Sequence, residues 1–171
     1  EIPCPTFGVK IRGVWAYSWA YAHNFTEPED GFCDTFEVEV WALNMTDLYG
    51  YEFVLTWDTT YFALKSWVVH KIWDKQLIVF NGTIAANAFK AVAAALAPSV
   101  GLNGDVKLAT FTFHICNDVC WPQCMVDGVF DLVHDSLKAS DSCTEPIPLC
   151  WELDGYWKFW AAEPEVYIEP E

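Results

Sequence analysis

The stretch that decides the fold is DTFEVEVWALNMTDLYGYEFVLTWD, which covers residues 34–58. In each of its two arms, apolar side chains alternate with mainly polar ones, and this period of two indicates a β-strand with one buried face. Residues 44–50 between the arms are rich in turn formers and predict a turn. Two strands that each bury one face require a second layer, so the stretch predicts an all-β sandwich. The residues predicted to face inward are Phe36, Val38, Val40 and Ala42 in the first arm and Tyr51, Phe53, Leu55 and Trp57 in the second.

The length and composition indicate a folded, acidic protein. With 171 residues, 53% of them hydrophobic, the chain suits one domain, and we expect a single sandwich across residues 1–171. This span includes an N-terminal segment, residues 1–6, and an acidic tail, residues 161–171. The formal net charge of −15 disfavours nucleic acid and anionic lipid as partners. No stretch reaches the roughly 18 apolar residues of a membrane helix, so no membrane span is expected.

Residues 85–97 give two conflicting signals. Alanine and leucine dominate the segment and favour a helix by intrinsic propensity. The residues from Phe89 to Leu96 nevertheless alternate between two faces, and the neighbouring segments have strand patterns. We therefore predict a strand here. Residues 77–85 are also predicted to be a strand, with a turn or bulge at Asn81–Gly82.

The seven cysteines indicate an oxidised, extracellular protein. We hypothesise a Cys143–Cys150 disulfide, because these two residues flank a proline-containing turn. Cys4 is the first candidate for a bond to another chain, because it lies in the N-terminal segment. The other cysteines are predicted to form disulfides, and their pairing stays open. They are Cys33, Cys116, Cys120 and Cys124. A metal site formed by Cys116, Cys120 and Cys124 with His114 is the alternative, but the spacing of these cysteines fits neither the usual zinc patterns nor the usual iron–sulfur patterns.

Three N-glycosylation sequons support the extracellular assignment. They begin at Asn24, Asn44 and Asn81, in predicted loops or strand ends. A single sequon often arises by chance, but three of them in a cysteine-rich chain agree with one another. We therefore expect an extracellular glycoprotein on the cell surface.

No pattern in the sequence indicates catalysis or a bound cofactor. The four histidines do not lie in a recognisable nucleophile motif, so no catalytic residue is assigned and no enzymatic activity is expected. The loop acids Glu27, Glu29 and Asp30 could contribute to a calcium site. Solvated loop acids are the preferred interpretation, so no metal or other cofactor is predicted.

Four segments in order resemble cohesin-type domains, particularly those of archaeal surface proteins. They are residues 34–58, 93–104 (AAALAPSVGLNG), 108–113 (LATFTF) and 153–157 (LDGYW). The resemblance implies a flattened jelly-roll sandwich of about nine strands, with inserted loops, that binds or assembles rather than catalyses. It also implies a dockerin-like protein as one class of partner.

Two groups of residues are candidates for contacts with a partner. Exposed aromatic residues could form a protein interface or stack on sugar rings, although core packing must account for most aromatic residues. A short apolar run between Pro164 and Pro170 could add as a strand to the sheet of a neighbouring subunit. The segment before Cys33 is an alternative donor strand. The competing interpretation is that residues 161–171 are a frayed tail without a binding role. The aromatic candidates are Trp15, Trp19, Tyr21 and Trp41, and the candidate donor strand contains Val166, Tyr167 and Ile168.

The main functional hypothesis from the sequence is a non-catalytic, extracellular structural protein. Its copies would assemble by strand addition into a cell-surface filament or layer, so that the chain's partner is itself. The alternative is a monomeric cohesin-like module that recognises a dockerin-like protein or a polysaccharide.

Overall fold

A computed structural model gives the structure of residues 4–26, 33–116 and 126–160. Besides strands, these residues form two short 3-10 turns, Trp19–Tyr21 and His134–Ser136. None of their helical segments is long and apolar enough to cross a membrane. The strands are β1 (Thr6–Ile11), β2 (Val14–Trp15), β3 (His23–Thr26), β4 (Thr35–Leu48), β5 (Gly50–Thr56), β6 (Phe62–Val69), β7 (Gln76–Ala85), β8 (Ala88–Ala95), β9 (Leu102–Ile115), β10 (Val126–Leu132), β11 (Lys138–Ser140) and β12 (Gly155–Trp160).

The strands form two sheets that share one hydrophobic core. The first sheet has the order β2-β1-β4-β9-β6, and the second has the order β3-β12-β10-β5-β8-β7, with β11 paired to β5. Neighbouring strands are antiparallel except for β3, which runs parallel to β12. The predicted all-β jelly-roll sandwich is confirmed. The described residues form twelve strands rather than about nine, because the short strands β2, β3 and β11 supplement the long ones.

The two arms of residues 34–58 form β4 and β5, and each arm lies in a different sheet. All eight residues predicted to face inward are buried. The chain therefore passes from one layer of the sandwich to the other within this stretch. The sequence pattern required a second layer, and β5 is itself part of that layer.

The turn predicted at residues 44–50 is not where the chain reverses. β4 continues to Leu48, and only Tyr49 separates it from β5. The turn-forming residues instead produce bulges, since Asn44 and Asp47 have positive φ values of 55° and 57° and the register with β9 shifts at both places. Asn and Asp adopt this left-handed conformation more readily than most residues.

Side chains of β9 supply hydrogen bonds where these bulges interrupt the ladder. The backbone N–H of Asn44 donates to Asp105 Oδ1 at 2.9 Å, and that of Asp47 donates to Asn103 Oδ1 at 2.9 Å. The polar residues near the end of β4 therefore stabilise an irregular strand rather than a free loop.

Aromatic rings fill the centre of the core. The ring centroid of Phe62 lies 4.8 Å from that of Trp157, 5.2 Å from that of Phe36 and 5.2 Å from that of Phe130. All four side chains are buried. Such ring pairs contribute about 0.5–1.5 kcal/mol each beyond the burial of their surface. Much of the aromatic content of the chain therefore lies inside the sandwich.

The alanine-rich segment forms a strand, as the alternation of its residues predicts. β8 lies between β5 and β7, and its inward residues Phe89, Ala91 and Ala93 are buried. Pairing on both sides of the strand therefore overrides the helix propensity of alanine. The expectation of a turn at Asn81–Gly82 is wrong, because β7 continues through these residues to Ala85, although bulges do occur elsewhere in the β7–β8 pairing.

The predicted Cys143–Cys150 disulfide is wrong, because Cys150 is bonded to Cys4 instead. Their Cα atoms are 6.0 Å apart, and the Cys150 N–H donates to Pro5 O at 2.9 Å, a distance typical of a backbone hydrogen bond. The hypothesis that Cys4 bonds to another chain is therefore also wrong. Cys143 is exposed and forms no disulfide within the described part of the chain.

Candidate protein-binding surface

One end of the larger sheet is formed by β7, whose residues 76–85 we call the β7 edge. Its ten residues include no charged residue and no proline. Val79 is 60% exposed and Ile84 is 52% exposed, and Leu77 and Phe80 are exposed as well. One side of β7 pairs with β8, and within residues 4–26, 33–116 and 126–160 no strand pairs with its other side.

The β7 edge lacks most of the features that usually protect a sheet edge from further pairing. Proteins shield such edges by making them short, by placing charged residues or proline in them, by bulges, or by covering them. β7 is ten residues long and carries neither charge nor proline, and its pairing with β8 shifts register only between Ile78 and Phe80 and between Thr83 and Ala85. Its outer side therefore offers backbone hydrogen-bonding groups, flanked by apolar side chains, to an added strand.

β6, at the end of the other sheet, extends this apolar surface. Val68 is 57% exposed, and Trp67 is partly exposed. The Trp67 ring also contacts Phe89 of β8, which belongs to the opposite sheet. The ends of both sheets formed by β6 and β7 therefore lie on the same side of the sandwich, and a segment bound along β7 would also lie close to β6.

The charge of this region is opposite to that of the whole chain. Residues 62–90 contain four lysines and one aspartate, a net charge of +3, whereas the chain carries −15. Lys65, Lys71 and Lys75 are exposed, and Lys90 forms an ion pair with Glu52 at 3.9 Å. The β7 edge is therefore an uncharged apolar strip within a locally basic part of an acidic protein.

A second concave surface lies on the larger sheet and is named here the Glu52 pocket. It has a volume of about 560 Å³ and lies between β5, β8 and residues 137–150. Its lining includes Ala94 and Glu52, and Glu52 forms an ion pair with Lys138 at 4.0 Å. Among the described residues, two aromatic rings line this pocket: Tyr51 is buried, whereas His134 is exposed and its ring stacks on that of Trp151, with centroids 4.1 Å apart. The rest of the lining is mainly aliphatic, with Glu52 and Lys138 as its charged groups.

The four aromatic residues predicted to form one interface lie in two groups. Trp15 and Trp41 are half-buried, their ring centroids are 6.3 Å apart, and Lys10 Nζ lies 4.9 Å and 4.4 Å from them. One face of each ring thus takes part in a cation–π contact with Lys10. Trp19 and Tyr21 are exposed in the 3-10 turn, and Trp19 packs on Tyr156 and Tyr21 on Tyr17. An interface through these residues stays a prediction.

The predicted glycosylation sites are accessible. Asn24, Asn44 and Asn81 all lie in strands with exposed side chains, and Asn81 lies within the β7 edge. Glycosylation at each of them stays a prediction. A glycan on Asn81 would crowd any strand that adds to β7, so modification at this position and strand addition are expected to compete.

Several predicted site residues lie outside the described residues. They include the candidate calcium ligands Glu27, Glu29 and Asp30, the cysteines Cys120 and Cys124, and the candidate donor strand with Val166, Tyr167 and Ile168. Cys33 and Cys116 are described, and neither forms a disulfide with another described residue. No group of three or more His, Cys, Asp or Glu side chains among the described residues is arranged to hold a metal ion.

Carboxyl groups cluster where β10 and β12 meet, away from β7. Burial raises the pKa of Asp154 to about 7 and also raises the pKa of Asp131, and the two carboxyls are hydrogen-bonded to each other. Asp154 Oδ1 accepts the Leu132 N–H at 2.8 Å. The pair holds a proton in the folded protein near neutral pH, which gives it a role in pH-dependent stability.

The sequence analysis did not identify β7 as a candidate binding surface and predicted residues 77–85 only as a strand. Two signals in the sequence could have revealed it. The first is a charge-free run in a chain with 24 acidic and 9 basic residues, and the second is the local excess of lysine in residues 62–90. What the sequence does not show is that β7 lies at the end of its sheet.

Comparison with known proteins identifies the fold. A non-cellulosomal cohesin from the archaeon Archaeoglobus fulgidus is 11% identical, with 92% of this chain covering 91% of that chain and a TM-score of 0.64. The chain has the cohesin fold. A structure of a type I cohesin–dockerin complex from Clostridium thermocellum matches with a TM-score of 0.66 and 11% identity, covering 92% of this chain and 95% of the other.

A third similar structure extends the range of cohesins that share this fold. It is a cohesin module from a family 33 glycoside hydrolase of Clostridium perfringens, 11% identical, with a TM-score of 0.61 and coverage of 93% of this chain and 98% of that one. No family model matches the sequence. No curated protein matches it either. The resemblance inferred from the four sequence segments is thus confirmed at the level of the fold.

Proposed function

We propose that this chain is a non-catalytic, extracellular module that binds a protein partner by strand addition along the β7 edge. The observation that carries the proposal is the uncharged, exposed and apolar composition of residues 76–85 at the end of a sheet. Added strands gain affinity from backbone hydrogen bonds and specificity from contacts of alternate side chains. Both kinds of contact are available along β7.

The comparisons support a protein partner. The similar structures include a cohesin–dockerin complex, in which the matching chain binds another protein. A module of this kind requires a surface rather than an active site, and the β7 edge is such a surface. The Cys4–Cys150 disulfide supports an extracellular location, because disulfides persist in oxidising compartments.

The Glu52 pocket supports a second candidate location for the partner. It is a concavity of about 560 Å³ on the same sheet, and it could receive an apolar side chain beside Glu52. The two locations predict different mutational effects. Thr144→Arg, in the segment of residues 137–150, would place a long side chain in the Glu52 pocket and leave the β7 edge unchanged, whereas Val79→Glu would place a charge on the β7 edge and leave the pocket unchanged.

Selection from a phage-displayed peptide library against the immobilised full chain tests the proposal. The wild-type chain should enrich peptides with alternating apolar residues, and Val79→Glu should abolish the enrichment. Val14→Glu on β2 is the matched control, because Val14 is 56% exposed and Val79 is 60% exposed. Enrichment that survives Val79→Glu and disappears with Thr144→Arg would overturn the proposal in favour of the Glu52 pocket.

If the protein partner is another copy of the chain, strand addition along β7 would produce the filament or layer that we expect from the sequence. In the alternative form, the chain remains monomeric and recognises a different protein, such as a dockerin-like module. Sedimentation velocity of the purified chain over a range of concentrations distinguishes the two. A concentration-dependent increase in sedimentation coefficient supports self-assembly, and a constant monomer value supports a separate partner.

A further inference from the structure

We infer that the β7 edge accepts residues 161–171 of a second copy of this chain. The inference rests on the proposed function, since it names the partner of the same edge. Residues 161–171 read AAEPEVYIEPE and follow directly after β12. Three observations favour this segment as the occupant. They are the charge of the residues near β7 in the sequence, the suitability of residues 165–169 as a short strand, and the position of β12 in the sheet.

The charges of the two segments are complementary. Residues 161–171 contain four glutamates and no basic residue, whereas residues 62–90 carry a net charge of +3. Lys65 on β6 is exposed, and so are Lys71 and Lys75 in the connection between β6 and β7. Complementary potentials speed the encounter of two surfaces and suppress incorrect partners. A neutral apolar edge that directly follows a connection with two exposed lysines therefore favours an acidic strand with an apolar centre.

The sequence of the segment suits a short added strand. Pro164 and Pro170 bound five residues, Glu165 to Glu169. Five residues is close to the most common strand length, and proline, which has no N–H to donate, is typical of strand boundaries. Val166 and Ile168 would face the same side of the added strand. That side can cover the apolar side chains exposed along β7.

The position of β12 favours a contact between copies over one within a copy. β10, β5 and β8 separate β12 from β7, so the two strands are about 19 Å apart at a strand spacing of about 4.8 Å. Crossing that distance takes about six extended residues. A segment starting after Trp160 would therefore use up residues as far as 166 before reaching its own β7. A second copy can present the whole of residues 165–169.

Pairing of β7 with the β7 of a second copy is disfavoured by charge. It would bring two regions of the same sign together, each with a net charge of +3. Like charges placed opposite each other destabilise an interface, and they are least screened at low ionic strength. The acidic segment avoids this repulsion and replaces it with attraction.

Fluorescence anisotropy with a labelled synthetic peptide of residues 161–171, titrated into the full chain, tests the inference. We expect saturable binding that weakens at least about tenfold when Val79 is changed to Glu, when Lys65, Lys71 and Lys75 are together changed to Gln, or when the four glutamates of the peptide are changed to Gln. The Val14→Glu chain should bind the peptide like the wild type. Circular dichroism and the melting temperature verify that each variant is folded.

The outcomes separate this inference from the proposed function. Absence of peptide binding, or binding that is insensitive to Val79→Glu, overturns the inference. If library peptides still depend on Val79 in that case, the β7 edge binds a different protein and the proposed function stands. Self-association of the chain that is abolished by Val79→Glu but persists after deletion of residues 161–171 would mean that the β7 strands of two copies pair with each other. In that case the inference is wrong.

Discussion

Trp67 on β6 packs edge-to-face against Phe89 on β8, with ring centroids 5.2 Å apart and an interplanar angle of 65°. The two residues belong to different sheets, so this contact closes the gap between the sheets beside the β7 edge. Phe89 is fully buried although β7, its neighbour in the sheet, is exposed. Trp67 therefore protects the core at the place where a partner is proposed to bind.

Replacement of Trp67 by alanine should destabilise the fold. The change removes the ring that covers Phe89, and we expect the free energy of unfolding to fall by about 2 kcal/mol. Val68→Ala is the control, because Val68 is 57% exposed and surface changes of this kind stay within about 0.5 kcal/mol. Urea denaturation followed by tryptophan fluorescence and circular dichroism measures both. Equal losses in the two variants would contradict the role assigned to Trp67.

Loss of the Cys4–Cys150 disulfide should destabilise the chain strongly. The bond joins residues separated by 146 positions, and closing so long a loop destabilises the unfolded state by about 5 kcal/mol. The double variant Cys4→Ser/Cys150→Ser should lose this amount in urea denaturation, while Cys143→Ser should change little because Cys143 is exposed. Peptide mapping without reduction should recover Cys4 linked to Cys150. Recovery of a Cys143–Cys150 peptide would refute the assignment.

The stability of the fold should decrease as the pH rises from 3.8 to about 7, through the pair Asp131 and Asp154. Burial raises the pKa of Asp154 in the folded protein, so in this range the folded state binds a proton that the unfolded state has lost. Asp154→Asn removes the titration and keeps an oxygen to accept the Leu132 N–H. Urea denaturation across this pH range should show a shallower decline for Asp154→Asn than for the wild type. Asp127→Asn, an exposed change on β10, is the control and should show the same decline of stability with pH as the wild type. An equal decline in Asp154→Asn and Asp127→Asn would contradict the role assigned to the Asp131–Asp154 pair.

Two substitutions of Asn44 separate its backbone role from its role as a sequon. Asn44→Gly and Asn44→Val both remove the acceptor for a glycan, but only valine is strained at a φ of 55°. We expect Asn44→Val to be less stable than Asn44→Gly by about 1–3 kcal/mol in thermal and urea unfolding of unglycosylated protein. Equal stabilities would mean that the bulge does not require the left-handed conformation.

The parts of the fold that were predictable are those set by side-chain alternation. Burial of one face is a local property, so the inward residues of β4, β5 and β8 could be read directly from the sequence. In β8 this signal correctly outweighed helix propensity, because a strand paired on both sides has no freedom to become a helix. The resemblance to cohesins rested on β4, β5 and the end of β8 together with parts of β9 and β12, and it identified the fold at a sequence identity of only 11% to the matching structures.

The parts that were not predictable depend on which strands become neighbours. Asn44 and Asp47 favour turns and bulges equally, and only the register with β9 decides between them. Cys150 can bond to Cys4 because the segment before β12 runs beside the start of β1, where the Leu153 N–H donates to Phe7 O at 2.9 Å. Proximity in sequence suggested Cys143 instead. The exposure of the β7 edge was likewise not predictable, because it depends on the order of strands in the sheet.

The order of strands in the larger sheet has a consequence for how an assembly of copies would grow. β7 lies at one end of that sheet, and β12, which leads into residues 161–171, lies near the other. A contact that joins these two unlike surfaces is heterologous and leaves one free acceptor and one free donor after every addition, so a chain of copies need not close. Each fibre built this way would have two distinguishable ends. A copy carrying Val79→Glu could still donate its segment but could not accept one, and would act as a chain terminator when mixed in small amounts with the wild type.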